Sequence, residues 1–211
     1  MDGSVPVHAA RYGLGVTSIL IVRHGQSVWN AQGRWQGRAD PPLTDLGHRQ
    51  ARVAAGALPS FDVLVASTLQ RAHQTAHGIS EVTGIAPVHL DGRLMERDAG
   101  GFSGLTRAEI EDQFPGYLAD GRWPQGWEDD DALVARVRAG LDDLVAAHRG
   151  RRIVVVSHGG VIYALEASLG LPHVGISNLG GRWFEMVDGE LTTTERVHLL
   201  DAADETLNDQ L

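Results

Sequence analysis

The sequence contains no cysteine. That absence removes disulfide frameworks, thiol nucleophiles and cysteine metal sites together, so any chemistry must come from His, Asp, Glu or Ser side chains or from a bound ion. No run approaches the 18 or so apolar residues of a membrane span. The opening segment MDGSVPVHAARYGLG has neither a basic region nor a continuous apolar stretch, which makes a cytoplasmic location without membrane association the expectation. Positive charge is scarce: 18 basic against 27 acidic residues give a formal net charge of −9. Such a field works against nucleic acid and anionic lipid, and a small anion would need a local group of arginines. Arg23, Arg71, Arg93 and Arg97 are candidates. Internal repeats, low-complexity tracts and mid-chain shifts in composition are lacking too. The 211 residues are therefore expected to form one domain over residues 17–200, with an N-terminal extension (1–16) and an acidic tail (201–211).

What is present alternates. Short branched apolar runs at 18–22, 63–66, 88–90 and 153–156 read as strands. Between them, helical spacing and end signals predict helices over 45–58, capped by Thr44 and closed by Pro59, and over 69–82, stopped by Gly84. Thr106 and Glu109 have capping-box spacing and start a helix that ends near Phe114-Pro115. Further helices are predicted over 131–148 and 161–169, while 116–130, with three Gly and two Trp, is read as irregular. Runs at 183–187 and 191–199 flank Asp188-Gly189 as the arms of a hairpin. The alternation predicts an α/β fold, a three-layer α/β/α sandwich with a mainly parallel sheet, in which ligands bind beyond the carboxyl ends of the strands. Two of those ends hold His24 and His158. The 191–199 strand is an edge that a homodimer or the chain's own elements can cover, and the sequence does not choose.

Arg23-His24-Gly25 joins a guanidinium suited to phosphate, an imidazole nucleophile and a glycine that lets backbone approach a ligand. The run continues through Gln26-Ser27, Trp29-Asn30, Gln36-Gly37 and Leu43-Thr44 to Gly47. Ser67-Thr68-Leu69-Gln70-Arg71-Ala72 follows, then Leu94-Met95-Glu96 with Gly100 and Gly104-Leu105-Thr106, then Val155-Val156-Ser157-His158-Gly159-Gly160. In order and spacing these segments resemble the phosphoglycerate-mutase-like branch of the histidine phosphatase superfamily, over about residues 19–197. The resemblance implies that family's fold and a phosphomonoesterase, cytoplasmic and free of metal or other cofactor, acting on a small phosphorylated metabolite such as a sugar phosphate or phosphoglycerate derivative. It further implies that His24 attacks phosphorus, Glu96 protonates the leaving oxygen and later helps water attack the phosphohistidine, and His158 assists. Arg23, Arg71, Asn30, Gln36, Gly37 and Gly159 would hold the phosphate, and Arg97 the remainder of the substrate.

His73 and His77 have i, i+4 spacing for zinc, but Gln74 stands where a zincin carries Glu. Trp123, Trp127 and Phe102 either line a substrate pocket or pin down the irregular segment, and the pocket is the preferred reading. A bisphosphoglycerate-dependent phosphoglycerate mutase is the main alternative. Only 62 positions separate Glu96 from His158, with no room for the mutases' insertion, and Gly160 replaces their usual Asn. Glu96-Arg97 points the other way, resembling the mutases' E-R pair. A non-catalytic phospholigand-binding relative is disfavoured because His24, Glu96 and the arginines are all present.

Overall fold

The computed structural model describes residues 16–187 and 189–201. Most of the expected N-terminal extension, the tail from 202 and Asp188 of the hairpin turn lie outside them. The strands are β1 (Thr17–Arg23), β2 (Val63–Ser67), β3 (Val88–Asp91), β4 (Arg152–Ser157), β5 (Gly180–Val187) and β6 (Glu190–His198). The helices are α1 (Val28–Ala31), α2 (Asp45–Ala57), α3 (Gln70–Thr83), α4 (Arg107–Gln113), α5 (Asp130–Ala147) and α6 (Gly159–Ser168). Among the described residues the strands form one sheet in the order β3-β2-β4-β1-β5-β6. β1–β4, β4–β2 and β2–β3 pair in parallel; β5 runs antiparallel to both β1 and β6.

Side chains alternate along a strand, so β1 sends Ile19 and Ile21 to one face and Leu20 and Val22 to the other. The first pair packs with Leu133, Val137 and Leu141 of α5 and Val161 and Leu165 of α6. The second pair packs with Ala54 of α2 and Ala72, Ala76 and Ile79 of α3. Helices thus cover both faces, as the α/β/α expectation requires. Truncating a fully buried residue such as Leu141 to Ala would cost about 2–5 kcal/mol.

The predicted caps form. Thr44 accepts from the Gly47 amide, and Thr106 and Glu109 close a reciprocal capping box. Three of these elements differ from expectation by two residues or more, and β5 is the first, beginning at Gly180 instead of 183. α6 begins at Gly159, two residues early, because His158 itself is the extended residue that opens the helix. The short α1 was not anticipated; Ser27 and Asn30 close a capping box around it. Gly25 also serves a different end. A Cβ there would lie 2.7 Å from the Gly47 carbonyl oxygen, so the glycine admits the first turn of α2 rather than a ligand.

A third cluster gathers Trp35, Ala99, Phe102 and Ile110 with Phe114, Tyr117 and Trp127. Phe102 lies fully buried within it, 5.2 Å from the Phe114 ring and 5.6 Å from Trp35. The expectation that Phe102 lines a substrate pocket is therefore corrected: it anchors the irregular segment. No described helix is long and apolar enough to cross a membrane.

Candidate active site

Parallel strands lie about 4.8 Å apart, and the β1–β4 register sets Arg23 opposite Ser157. The next residues, His24 and His158, therefore leave adjacent strand ends side by side, with ring centroids 5.2 Å apart in an edge-on arrangement. This pairing of residues far apart in the chain follows from strand order alone.

The His24 ring is almost wholly buried. Its Nδ1 lies 2.7 Å from the Gly25 carbonyl, which can only accept, and its Nε2 lies 3.1 Å from Arg71 Nε, which can only donate. The two partners fix one tautomer: Nδ1 carries the hydrogen and Nε2 presents its lone pair. Burial, then the charges of Arg71 and Arg23, hold its pKa well below the ordinary histidine value, against a smaller upward pull from the Gly25 carbonyl. With Nδ1 donating and Nε2 accepting, the ring is neutral.

Arg71 is fully buried; its Nη1 donates to the Ala39 carbonyl at 2.7 Å and its Nη2 to the Gly37 carbonyl at 2.8 Å. Burial lowers its pKa to about 10, which still leaves it charged near neutrality. Arg23 Nη1 donates to the Ile176 carbonyl at 2.6 Å, and burial lowers its pKa as well. Because the chain has no lysine, every fixed cation here is a guanidinium, planar and suited to bidentate contact with phosphoryl oxygens.

His158 Nε2 meets Ser67 Oγ at 2.8 Å. Its buried Nδ1 has no hydrogen-bond partner among the described residues. Burial, followed by the charges of Arg71, His24, Arg136 and Arg23, holds its pKa well below the usual value.

Glu96 approaches from the loop after β3. Its Oε1 accepts from the Arg97 amide at 2.8 Å and its Oε2 from the Gly160 amide at 3.1 Å, at the start of α6. A Cβ on Gly160 would lie 3.1 Å from Glu96 Cδ and closer still to Oε1. Glycine at 160 is thus what makes room for the carboxylate. Arg136 of α5 fixes this loop by donating to the carbonyls of Arg93 and Met95 (both 2.7 Å) and Glu96 (2.9 Å), while Glu128 pairs with its guanidinium.

These groups border an inner cavity of about 50 Å³, lined by Arg23, His24, Gln36, Gly37, Arg71, Glu96, Arg97 and Gly159, with Trp35, Ala99, Trp127 and Tyr163 completing the wall. Three arginines against one carboxylate make it a positive well in an acidic protein. Through Arg97, Trp127 and Tyr163 it adjoins an outer cavity of about 640 Å³ that also holds Trp123, Asp129, Asp130, Asp131, Gly160 and His173. Trp123 and Trp127 stack there at 4.1 Å, nearly parallel.

Most of the anticipated residues are therefore brought together, with differences. Asn30 is not among the residues lining either cavity. Its Oδ1 accepts from the Ser27 amide, and Ser27 Oγ in turn donates to Gln36 Oε1 at 2.7 Å, so Asn30 orders the loop that carries Gln36. His158 stands one layer behind His24 instead of on the wall. Arg93, a candidate for the anion cluster, is instead tied to Asp91 and Asp143 outside the cavities. Sequence reasoning missed Tyr163, whose hydroxyl accepts from the Ile176 amide at 2.8 Å, and Asn178, which donates to the His24 carbonyl at 2.7 Å. Tyr163 follows His158 by five residues, so the first turns of α6 held a usable signal; Asn178 carries none.

Known proteins bear on this geometry. Residues 19–195 match the model of the histidine phosphatase superfamily, branch 1. A glucosyl-3-phosphoglycerate phosphatase of Mycolicibacterium vanbaalenii is 38% identical over 181 residues, covering 79% of this chain and 80% of that protein. A probable phosphoglycerate mutase GpmB of an Enterobacter species is 37% identical over 164 residues, covering 73% and 75%. Among solved structures, mycobacterial glucosyl-3-phosphoglycerate phosphatase in complex with VO3 superposes with a TM-score of 0.74 at 32% identity, over 84% of this chain and 96% of the other. With a family match that spans both histidine-bearing strand ends, this chain belongs to branch 1 of the histidine phosphatase superfamily.

Proposed function

We propose that the chain hydrolyses the phosphomonoester of a phosphoglycerate derivative carrying a glycosyl group, with His24 as the nucleophile. That it is a phosphomonoesterase rests on its family; the substrate and the residue roles are our reading. The observation that carries it is the fixed neutral tautomer of His24, whose Nε2 lone pair borders a cavity of phosphoryl size between Arg23 and Arg71.

In this reading the phosphoryl dianion enters the inner cavity and takes N–H donors from Arg23, Arg71 and the Gln36 amide, and Arg71 Nε releases His24 Nε2. The N–P bond forms as the P–O bond to the leaving group breaks, and Glu96 delivers a proton to that oxygen. The Gly25 carbonyl keeps hold of Nδ1–H and stabilises the charge that appears on the imidazole. His158, fully buried with its ring edge-on to His24 at 5.2 Å and its Nε2 held by Ser67 Oγ, backs the nucleophile and keeps its imidazole in place. Glu96, now ionised, takes a proton from the attacking water and the N–P bond breaks. Arg97 faces the substrate carboxylate, and the stacked Trp123–Trp127 wall of the outer cavity offers the apolar platform a glycosyl ring requires.

The similarity to a probable mutase supports a second reading, in which a glycerate hydroxyl replaces water. One assay separates them. Phosphate release from a panel of monophosphates, with chelator and without bisphosphoglycerate, should be catalytic and vanish in His24→Ala. Interconversion of phosphoglycerates only after a bisphosphate is added would replace the phosphatase reading by the mutase one.

A further inference from the structure

Arg97 belongs to the walls of both cavities, yet its guanidinium is already engaged. Nη1 donates to the Glu128 carbonyl at 2.6 Å, the planar group lies 5.0 Å above the Trp127 ring, and Nη2 is paired with Asp130. These partners differ in kind. The Glu128 carbonyl belongs to a backbone fixed by the Arg136–Glu128 pair, and Trp127 is wedged into the third cluster. Asp130, by contrast, is a side chain that is 67% exposed while Arg97 is 9% exposed. It is the first residue of α5, after the capping Asp129, so a swing of its carboxylate away from Arg97 keeps it at a helix N-terminus where negative charge is favoured.

We infer that Asp130 is an internal stand-in for the second anionic group of the substrate, and that binding proceeds by exchange: the substrate's carboxylate takes the Arg97 Nη2 donor and Asp130 turns out into solvent. This rests on the reading that Arg97 receives that anion, and goes beyond it by making Asp130 a determinant of specificity. A nearly buried guanidinium is costly without an anion. Asp130 supplies one in the free enzyme, and a monophosphate lacking a second anion leaves that pair in place. A substrate with two anions must break it first. Asp130 therefore weakens binding selectively for substrates that carry a second anionic group besides the phosphate, and with its neighbours Asp129 and Asp131 it forms an acidic rim to the outer cavity.

The test compares kcat and KM on 3-phosphoglycerate and glycerol 3-phosphate, which share a skeleton and differ in the carboxylate, for the unaltered enzyme, Asp130→Asn, Asp130→Ser and Arg97→Ala. Both Asp130 variants should lower the ratio of KM for 3-phosphoglycerate to KM for glycerol 3-phosphate by about fivefold, the upper end for an exposed ion pair, with kcat little changed. Arg97→Ala should raise the same ratio. If the Asp130 variants shift both KM values alike, the residue acts only through its general field. If they raise the ratio, Asp130 holds Arg97 in place for substrate. Either result overturns the exchange while the Arg97 reading stands. If Arg97→Ala leaves the ratio unmoved, the Arg97 reading fails and the exchange with it.

Discussion

Adding one methyl group at residue 160 should cripple the reaction and spare the fold. In Gly160→Ala the new Cβ would lie 3.1 Å from Glu96 Cδ, inside the roughly 3.5–4.0 Å that two carbons prefer. The carboxylate must retreat by roughly 0.4–0.9 Å, and its 3.1 Å bond from the Gly160 amide is lost. A displacement of about 1 Å in a reacting group costs about 100-fold, or about 2.7 kcal/mol of barrier. Stability should move little, because Ala in a helix is worth up to about 1 kcal/mol over Gly and offsets the lost hydrogen bond. The assay is kcat/KM, which reads the transfer to His24 ahead of the hydrolysis both substrates share, on a sugar phosphate and on p-nitrophenyl phosphate, whose phenolate departs with little need of a proton, alongside a thermal melt. The expected pattern is a loss near 100-fold with the sugar phosphate, a much smaller loss with the aryl ester and an unchanged melting point. Equal losses on both substrates would refute the assignment of Glu96 as the proton donor, and retention of full sugar-phosphate activity would refute the steric argument itself.

Both buried histidines have lowered pKa values, so below about pH 6.5 the unfolded chain takes up protons that the native state does not. Stability is then complete above that pH and is lost as pH falls, by up to about 1.4 kcal/mol per unit for each ring; denaturant midpoints between pH 7.5 and 5.5 should show the slope, and it should shrink in His158→Gln. Arg136→Lys should lower kcat about 10-fold or more, since an ammonium's three donors cannot serve the carbonyls of Arg93, Met95 and Glu96 together with both Glu128 oxygens; activity within twofold would show that the Glu96 loop holds itself. Vanadate should inhibit competitively, and histidine-ring nitrogen shifts in the free enzyme should identify His24 as the Nδ1–H tautomer, whereas an Nε2–H signal would contradict the nucleophile geometry.

The strand ends were legible because their signal is local: a branched apolar run, then Arg23-His24 or Ser157-His158. The helix caps at Thr44 and Thr106 were legible for the same reason. What escaped depends on contacts across the chain. Nothing near Asn30 indicates that its Oδ1 would hold the Ser27 amide while Ser27 Oγ reaches Gln36. Nothing near Gly160 announces a carboxylate 64 positions upstream. Phe102 and Trp123 look alike as aromatic residues in a Gly-rich stretch. One is buried at the heart of a cluster and the other is 47% exposed beside the outer cavity, a distinction set by packing between α4 and the segment after it. The resemblance, carried by motifs, located the inner cavity well and said little about the outer one, whose wall comes from the segment without motifs.

The clamp behind His24 bears on when the enzyme becomes active. Arg23 and His24 come early in the chain, yet they are gripped from residues 176–179: Ile176 takes the Arg23 guanidinium, Asn178 the His24 carbonyl, and the Leu179 amide the Arg23 carbonyl, with Leu179 at a φ of 57° that only tight surroundings sustain. β1 itself lies between β4 and β5, each more than a hundred residues downstream. During synthesis the Arg23-His24-Gly25 tripeptide leaves the ribosome long before anything that can shape it, so a nascent chain halted ahead of residue 176 should carry an intact His24 and show no turnover. Activity would then appear in one step, as the β5–β6 hairpin emerges and closes the sheet.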